Sequence, residues 1–282
     1  MDEENSKENG ETPHSDTDDE EPIDREAAHF ASKFASRRHS AMVFSSSMKA
    51  GHNGFHRRPV ELYLVRIYPA CRAVWFYMLQ HNIPHILVDI DFSQGESQLP
   101  DVVRKQPHRE VPIIVDGDFV VFDGPAILTY LATTYTHHAG YGITMQTRML
   151  SESIVSWANS ELHRAVGFNY IYPQFLDKYT LPDERANEAL IEHGLKQLSH
   201  HLELLEKKYL EKSTFLTGNR ITIADTYVAT ILLQTEWLGT KLSMWPHVEK
   251  WLSRVKNQVF WDVVHSSHTV FLRELESRAL FD

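Results

Sequence analysis

The spacing of hydrophobic and polar positions divides the chain beyond residue 59 into two halves. In the first half, short β-prone runs alternate with stretches of helical spacing, in the order βαβ followed by ββα. The predicted strands are VELYLV (60–65), HILVDIDF (85–92), VPIIV (111–115) and FVVF (119–122). The predicted helices are CRAVWFYMLQHN (71–82), QLPDVVRKQ (98–106) and GPAILTYLATTY (124–135). This order predicts parallel pairing first and then an antiparallel hairpin at the Asp-Gly-Asp turn.

The second half has helical spacing throughout. THHAGYGIT (136–144) is interpreted as a linker, and no strand is predicted beyond it. Five helices are predicted, at residues 145–166, 183–210, 222–238, 246–257 and 261–280. The chain is therefore assigned to the α/β plus all-α class, with a thioredoxin-like domain at 59–135 followed by an all-helical domain at 145–282.

The helix predicted to begin at Thr222 carries a capping box. The Thr222 hydroxyl is placed to accept from the amide of Asp225, and the Asp225 carboxylate reaches back to the amide of Thr222. An apolar run follows at once, which predicts a buried helix. We therefore interpret the TIADTYVA motif (222–229) as structural, a nucleus of the helical domain.

Residues 1–58 differ from both halves in composition. Residues 1–26 hold 12 acidic and 2 basic residues, whereas residues 27–58 hold 6 basic and no acidic residues. Few large apolar residues are present, so this segment is predicted to be a disordered, charged tail. The RRHS sequence that ends at Ser40, and the acids that follow Ser15, make these two serines candidate kinase targets.

The composition indicates the cellular compartment of the protein and limits the kinds of partner it binds. The chain has no run of about 18 apolar residues, so no membrane span is predicted, and its acidic start shows no secretory signal. A single cysteine, Cys71, excludes an internal disulfide framework and favours a reducing compartment, with a cytoplasmic location as the default. The net charge of −10 argues against nucleic acid as a partner.

Two long motifs carry a resemblance to a known family. VPIIVDGDFVVFDGPAILTYL (111–131) resembles the Val-Pro, strand, Asp-Gly-Asp hairpin, strand and Glu-Ser helix start of the cytosolic glutathione transferases. FLTGNRITIADTYVA (215–229) resembles the buried capping motif of that family's helical domain. CRAVWFYML (71–79) and QPHREVP (106–112) are similar to the theta class. The resemblance covers residues 60–280 and implies a detoxification enzyme, a homodimer that conjugates glutathione to small electrophiles.

The resemblance also implies where glutathione binds. Pro112 would be a cis proline that lets the Val111 backbone pair with the cysteinyl part of glutathione, like an added strand. Asp123 and Gly124 stand where the theta class has the Glu-Ser pair that holds the γ-glutamyl end. Glu152 is implied as a further acidic contact from the helical domain, sometimes across a dimer. No metal is implied.

Two residues at the start of the first helix are candidates for thiol chemistry. The position of the theta-class serine, which orients the thiolate, is Tyr68 in this chain. A phenol can donate a hydrogen bond to a thiolate, but it suits packing beside the domain interface equally well. Cys71 stands at the resolving position of the Cys-Pro-x-Cys pattern of thiol-disulfide proteins. A redox role for Cys71 is a minor alternative to a packed core cysteine.

Other departures from the theta pattern change the charge and hydrogen bonding of the site. Gly124 keeps a backbone amide at a helix start but lacks the serine hydroxyl. Ser97, with Glu96 beside it, replaces a histidine, and Glu110 replaces a basic residue. These changes remove positive charge near the glycine carboxylate of glutathione, and Arg109 is placed to compensate in part.

The remaining candidates are aromatic residues and histidines of the helical half. Trp157, Phe168, Tyr170, Tyr172 and Trp237 are candidate lining for an electrophile pocket, although packing of the helical core explains them equally well. The histidine pairs 137–138 and 200–201, together with His265 and His268, lack partners for a metal site and are expected at the surface.

Two functions therefore stay open. The first is a theta-like glutathione transferase in which Tyr68 orients the thiolate, and the sequence leans towards it because Val111-Pro112 and the acid at position 123 are kept. The second is a weakly active or inactive protein of the same fold that serves as a binding or scaffold protein. This alternative is motivated by the changes at Tyr68, Ser97, Glu110 and Gly124, together with the charged tail.

Overall fold

The structure of the protein, a computed structural model, describes residues 58–95 and 98–279. The predicted tail lies outside these residues apart from Arg58, and so do its candidate kinase targets, Ser15 and Ser40. Glu96 and Ser97, the two departures after the second strand, also lie outside the described residues.

Four strands of the first half form one mixed sheet in the order β2-β1-β3-β4. The strands are β1 (Val60–Leu64), β2 (His85–Asp89), β3 (Ile113–Asp116) and β4 (Phe119–Phe122). β1 and β2 run parallel, with Val60 opposite His85, whereas β3 runs antiparallel to both β1 and β4. The pairing confirms the predicted βαβ and hairpin arrangement and leaves β4 at one edge.

Three helices accompany this sheet. They are α1 (Pro69–Gln80), α2 (Asp101–Lys105) and α3 (Gly124–Tyr135). All residues of α1 except Ala70 and Gln80 are buried, because the helical half covers the side of α1 that the first domain leaves open. The ring edge of Phe76, for example, contacts Trp261 with 5.9 Å between ring centroids. The first helix of the thioredoxin-like domain therefore also forms part of the interface between the two domains.

The second half is all-helical within the described residues, as predicted. Its helices are α4 (Met145–Trp157), α5 (Glu184–Leu204), α6 (Ile223–Leu232), α7 (Pro246–Lys256) and α8 (Trp261–Ala279). π-Helical segments extend α4 over Ala158–Leu162 and Arg164–Ile171 and extend α5 over Leu205–Tyr209, and a 3-10 segment extends α6 over Leu233–Leu238. No helix in the described ranges combines the length and apolar character needed to cross a membrane.

The helix predicted to end at residue 166 continues to Ile171. Gly167 is buried within this continuation, and a side chain there would meet the Tyr172 ring at 2.8 Å. The glycine therefore permits close packing and does not end the helix. The chain tightens to a 3-10 turn only at Tyr172–Gln174, which contains Pro173.

The predicted capping box at the start of α6 is present. The buried Asp225 carboxylate accepts from the Thr222 amide at 2.8 Å and from the Leu216 amide at 2.8 Å. It also accepts from the indole N–H of Trp251 at 2.8 Å. Desolvation raises the pKa of Asp225, and these hydrogen bonds oppose the shift by stabilising the carboxylate. The motif ties α6 to the preceding loop and to α7.

The expectation that the histidines lie at the surface is wrong for His265 and His268, which are 3 % and 2 % exposed. The His265 ring stacks on Trp261 at 3.8 Å, and its Nδ1 lies 2.9 Å from the Trp261 carbonyl oxygen. Desolvation, with the nearby charge of Arg72, lowers the pKa of His268 to about 2 and that of His265 well below its usual value. Both imidazoles are therefore neutral packing groups. Among the described residues, no group of three His, Cys, Asp or Glu side chains is placed to hold a metal ion.

Candidate functional site

Three segments of the first domain meet at one edge, next to the helical half. A Cβ built on Gly124 would lie 3.0 Å from the Cβ of Ala70, so the first turns of α1 and α3 touch. Glu110 lies near enough to Tyr68 for its charge to raise the pKa of the phenol, so the loop before β3 is on the same side of the domain as the turn before α1. The candidates from these three segments are therefore brought together.

Tyr68 is the last residue before α1 and lies in extended backbone, with φ −70° and ψ 131°. It is 43 % exposed, so the packed-aromatic interpretation describes only part of it. Desolvation nevertheless raises the pKa of its phenol, and Tyr179, Cys71 and Glu110 act in the same direction. The hydroxyl therefore stays protonated at neutral pH and is a hydrogen-bond donor at the rim of the site.

Cys71 lies one turn further on and is fully buried, at 0 % exposed. Burial raises the pKa of its thiol to about 12, a shift that the backbone of Val65 and the charge of Arg72 only partly oppose. Thiol chemistry needs an accessible thiolate, and Cys71 has neither the access nor the charge. The geometry therefore supports a packed core cysteine over a redox thiol.

The loop before β3 is organised by a residue that the sequence analysis missed. The side-chain oxygen of Gln106, a buried residue, accepts from the Glu110 amide at 3.1 Å, and its carbonyl accepts from the Arg109 amide at 3.1 Å. Arg109 takes a left-handed conformation with φ 52°, and both Arg109 and Glu110 are exposed. The Val111–Pro112 peptide that follows is cis, as expected.

The start of α3 is held in an unusual conformation. Asp123 has φ 69° and ψ 128°, a region that residues with a side chain rarely adopt and that clusters at functional sites. Partial desolvation raises the pKa of its carboxyl, whereas the Gly124 amide and the charge of His108 oppose the shift. His108 is therefore near Asp123, a proximity that its lone position in the sequence did not signal.

Glu152 lies on a different face. Its carboxylate accepts from the Thr129 hydroxyl at 2.5 Å and from the Tyr141 hydroxyl. These partners belong to α3 and to the segment between the domains, so Glu152 is not joined to Tyr68 or to Asp123. It lines a shallow surface cavity of about 570 Å³ whose walls are largely apolar, formed by Phe119, Val121, Pro125, Ala126, Thr129, Tyr130, Tyr141 and Met149.

The helical half contributes an aromatic cluster near Tyr68. The rings of Phe168 and Tyr172 lie 5.3 Å apart, those of Tyr172 and Tyr179 lie 5.2 Å apart, and Trp237 follows at 6.0 Å from Tyr172. The Tyr172 hydroxyl lies 3.0 Å from Nε2 of His163, whose pKa burial lowers to about 4. Tyr172 and Tyr179 both lie near the candidate chemistry, since each phenol interacts electrostatically with that of Tyr68.

Only part of the predicted aromatic set belongs to this cluster. Phe168, Tyr172 and Trp237 do, whereas Trp157 packs against the edge of the His201 ring at 5.4 Å and Tyr170 packs on the core. Tyr179 and His163 were not predicted. Tyr179 comes from a 3-10 turn (Asp177–Tyr179) beyond the end of the helix, where helical spacing carries no information.

Arg72 is a further residue that was not predicted from the sequence. It is fully buried, and its Nη2 donates to the Thr230 carbonyl of α6 at 3.2 Å. Desolvation lowers the pKa of its guanidinium to about 10, while Tyr172, Cys71 and Glu236 act in the opposite direction. The guanidinium stays charged, joins the two halves, and keeps His163, His265 and His268 neutral.

Comparisons with known proteins agree with this arrangement. Residues 69–134 match the family model "Glutathione S-transferase, N-terminal domain", and residues 168–258 match "Glutathione S-transferase, C-terminal domain". Glutathione S-transferase theta-3 of Mus musculus is 30% identical over 229 residues, 79% of this chain and 92% of that protein. Glutathione S-transferase theta-1 of Homo sapiens is 30% identical over 220 residues, 76% of this chain and 89% of that protein.

A solved structure gives the same result at the level of coordinates. The apo form of human glutathione S-transferase T1-1 is similar with a TM-score of 0.65 and 28% identity, over 77% of this chain and 91% of that one. Since both domain models match and a theta-class relative is 30% identical over most of its length, the chain belongs to the glutathione S-transferase family, among its theta-class members.

Proposed function

We propose that this protein binds glutathione and transfers its thiol to small electrophiles. The observation that carries the proposal is the contact between the first turns of α1 and α3 at Ala70 and Gly124. This contact brings the turn that carries the Tyr68 phenol towards the strained acid Asp123, in the domain that also holds the cis peptide Val111–Pro112. These are the positions that the family resemblance assigns to glutathione, and Tyr68 precedes the other two by more than 40 residues in the sequence.

In this proposal glutathione makes four contacts along this edge. The γ-glutamyl amine pairs with the Asp123 carboxylate, and its carboxylate faces the positive end of α3 at Gly124. The backbone of Val111 pairs with the cysteinyl part. The glycine carboxylate points towards Arg109, with His108 as the other basic group nearby.

Tyr68 then acts on the thiol. Because its pKa is raised, the phenol keeps its proton and donates a hydrogen bond to sulfur, which favours the thiolate over the thiol. The thiol proton leaves to solvent, the sulfur bonds to the electrophilic carbon, and the leaving group departs with the electron pair of the broken bond. The aromatic cluster of Phe168, Tyr172 and Tyr179 forms the apolar wall against which the electrophile lies.

The second copy in the proposed homodimer docks on the face that contains Glu152. Large apolar side chains are exposed there, among them Phe119, Met145 and Met149 at 56 %, 60 % and 49 %. In this arrangement Glu152 supports the interface through Thr129 and Tyr141. Sedimentation at micromolar concentration should give about twice the monomer mass, and a Met149→Lys variant should sediment as the monomer.

A cytoplasmic location is proposed from the single reduced cysteine.

The alternative, a binding or scaffold protein without turnover, is favoured by one observation. Glu110, an acid, lies exposed beside Tyr68 where the glycine carboxylate of glutathione approaches. In this alternative the edge is too acidic to hold the tripeptide.

Calorimetry with glutathione, followed by conjugation assays with a panel of small electrophiles, separates the two functions. The proposal expects binding at millimolar glutathione or below, together with turnover of at least one electrophile. Absence of binding at that concentration would exclude the transferase function and leave the binding or scaffold function. Glu110→Lys is the matched variant, because reversing this charge should tighten glutathione binding if the acid is the only obstacle.

A further inference from the structure

Three helices meet at one point between the two ends of the proposed glutathione site. A Cβ on Gly124 would lie 3.0 Å from the Cβ of Ala70 and 3.3 Å from both Cε2 and Oη of Tyr227. Ala70 comes two residues after Tyr68, and Gly124 comes directly after Asp123. The contact therefore joins the backbone that carries the phenol to the backbone that carries the acid.

The third member of this junction comes from the helical half. Tyr227 lies on α6 and is 1 % exposed. Its hydroxyl donates to Oδ1 of Asn159, in the continuation of α4, at 2.6 Å. The ring is thus fixed at its base by a buried helix and at its tip by a hydrogen bond. A rigid aromatic group of the second domain fills the space beside Gly124.

The residues on either side of the junction have fixed backbones. Asp123 is held at φ 69°, a conformation that persists only where its surroundings enforce it. Tyr68 ends the turn before α1, where its amide donates to the Val65 carbonyl at 3.0 Å. Movement at the junction is therefore passed on to both residues, because neither backbone can absorb it locally.

We propose that the junction of Ala70, Gly124 and Tyr227 sets the distance between Tyr68 and Asp123, and that Tyr227 is a positioning residue for glutathione. The inference rests on the proposed function, and it gives the helical domain a part in glutathione binding as well as in electrophile binding. Gly124 is then needed for its missing side chain.

One consequence is opposite to what the family pattern suggests. Replacing Gly124 by the theta-class serine adds a hydroxyl, but its Cβ would press on Ala70 and on the Tyr227 ring. Ala70 is anchored directly to backbone and cannot turn away, so α1 and α3 must separate by a few tenths of an ångström. Gly124→Ser alone should therefore weaken glutathione binding.

The test uses the full chain and four variants: Gly124→Ala, Ala70→Gly, the double variant that combines them, and Tyr227→Phe. Glutathione affinity is measured by calorimetry, and KM is measured separately for glutathione and for the electrophile. Gly124→Ala should raise the Kd and KM for glutathione about tenfold, since misplacement by 1 Å costs up to about a hundredfold. The electrophile KM should stay unchanged. The double variant should bind glutathione as Ala70→Gly does, because the nearest clash is gone.

The outcomes separate this inference from the proposed function. If the wild-type protein does not bind glutathione, the proposed function fails and the positioning role fails with it. If it binds and Gly124→Ala binds equally well, only the positioning role is overturned. An equal rise in both KM values, or no rescue by Ala70→Gly, also overturns it, because general loosening would act in that way. If Gly124→Ala does not fold, Tyr227→Phe decides, since it removes only the bond to Asn159 and should still weaken glutathione binding.

Discussion

Two helices of this protein begin beside an aspartate, and the two starts differ in almost every physical respect. At α6, Asp225 is fully buried, and three N–H donors fill its carboxylate. At α3, Asp123 is exposed, makes no side-chain cap to the first turn and is held at φ 69°. The first start is closed and stabilises the fold, whereas the second is open and strained, which is the state expected of a binding group. Both residues are aspartates, so the residue type does not separate them. The number of hydrogen bonds that the carboxylate accepts distinguishes the structural aspartate from the candidate binding aspartate.

Asp225→Ala tests most directly whether Asp225 stabilises the fold. This change leaves the Trp251 indole and the Leu216 amide buried without their acceptor, and each orphaned group costs about 1–3 kcal/mol. We expect the free energy of unfolding to fall by about 4 kcal/mol, measured by urea denaturation. Asp183→Ala is the matched control, because Asp183 caps the exposed start of α5 through a single bond to the Ala186 amide. Its cost should be about 1 kcal/mol. Equal losses in the two variants would contradict the distinction.

Tyr68→Phe tests the open site through turnover. A hydrogen bond to a charged partner contributes about 1.5–3 kcal/mol, so kcat for conjugation should fall about 10- to 100-fold, with little change in the Kd of glutathione. Because the pKa of Tyr68 is raised, its phenol should not titrate below about pH 10, and activity should not decline between pH 8 and 9 on its account. Unchanged kcat in this variant would remove Tyr68 from the mechanism, and unchanged stability would confirm that it belongs to the open region.

The closed region should respond to acid. His265 and His268 are neutral in the folded protein, since burial lowers their pKa values, whereas a histidine of the unfolded chain takes up a proton below about pH 6.5. The unfolded state then binds more protons, and the free energy of unfolding falls by up to about 1.4 kcal/mol per pH unit for each histidine. This loss begins near pH 6.5 and continues towards the folded pKa. Urea denaturation from pH 7 to 5 should show a shallower pH slope for His268→Gln, and identical slopes would exclude this histidine.

The smallest expected effect would sharpen the comparison most. Asp123→Gly removes the Cβ that is strained at φ 69°, so the free energy of unfolding should rise by about 1 kcal/mol. The same change removes the carboxylate proposed to hold the γ-glutamyl amine, so glutathione binding should weaken. A variant that is more stable and binds less is the signature of a residue kept for function. Lower stability with normal binding would show instead that Asp123 is structural.

The sequence was enough to predict the elements and the family because these depend on local patterns. Alternation of strands and helices follows from the hydrophobic period, and the capping box at Thr222 and Asp225 is set by residues three apart. The cis peptide at Pro112 and the start of α3 at Gly124 followed from one family motif.

What the sequence did not predict depends on packing between distant segments. The burial of His265 and His268 and the role of Arg72 arise where α6 and α8 meet α1, and Arg72 lies 158 residues before its α6 partner Thr230 in the chain. The aromatic cluster likewise gains Tyr179 from a 3-10 turn. Gly124 was interpreted as a backbone amide without the serine hydroxyl. Its close packing was not predicted, because the side chain that occupies the space beside it, Tyr227, lies in the other domain.

Because Cys71 is buried, its reaction with a thiol reagent can report transient opening of the protein core. It is the only thiol in 282 residues, and it lies in the first turn of α1 with no exposed surface. A thiol-reactive dye can therefore label the native protein only when the packing between the sheet, α1 and α6 comes apart. The labelling rate measures how often that happens, without any engineered cysteine. Addition of S-methylglutathione, which has no thiol to consume the dye, should slow the labelling if the bound tripeptide closes the same junction.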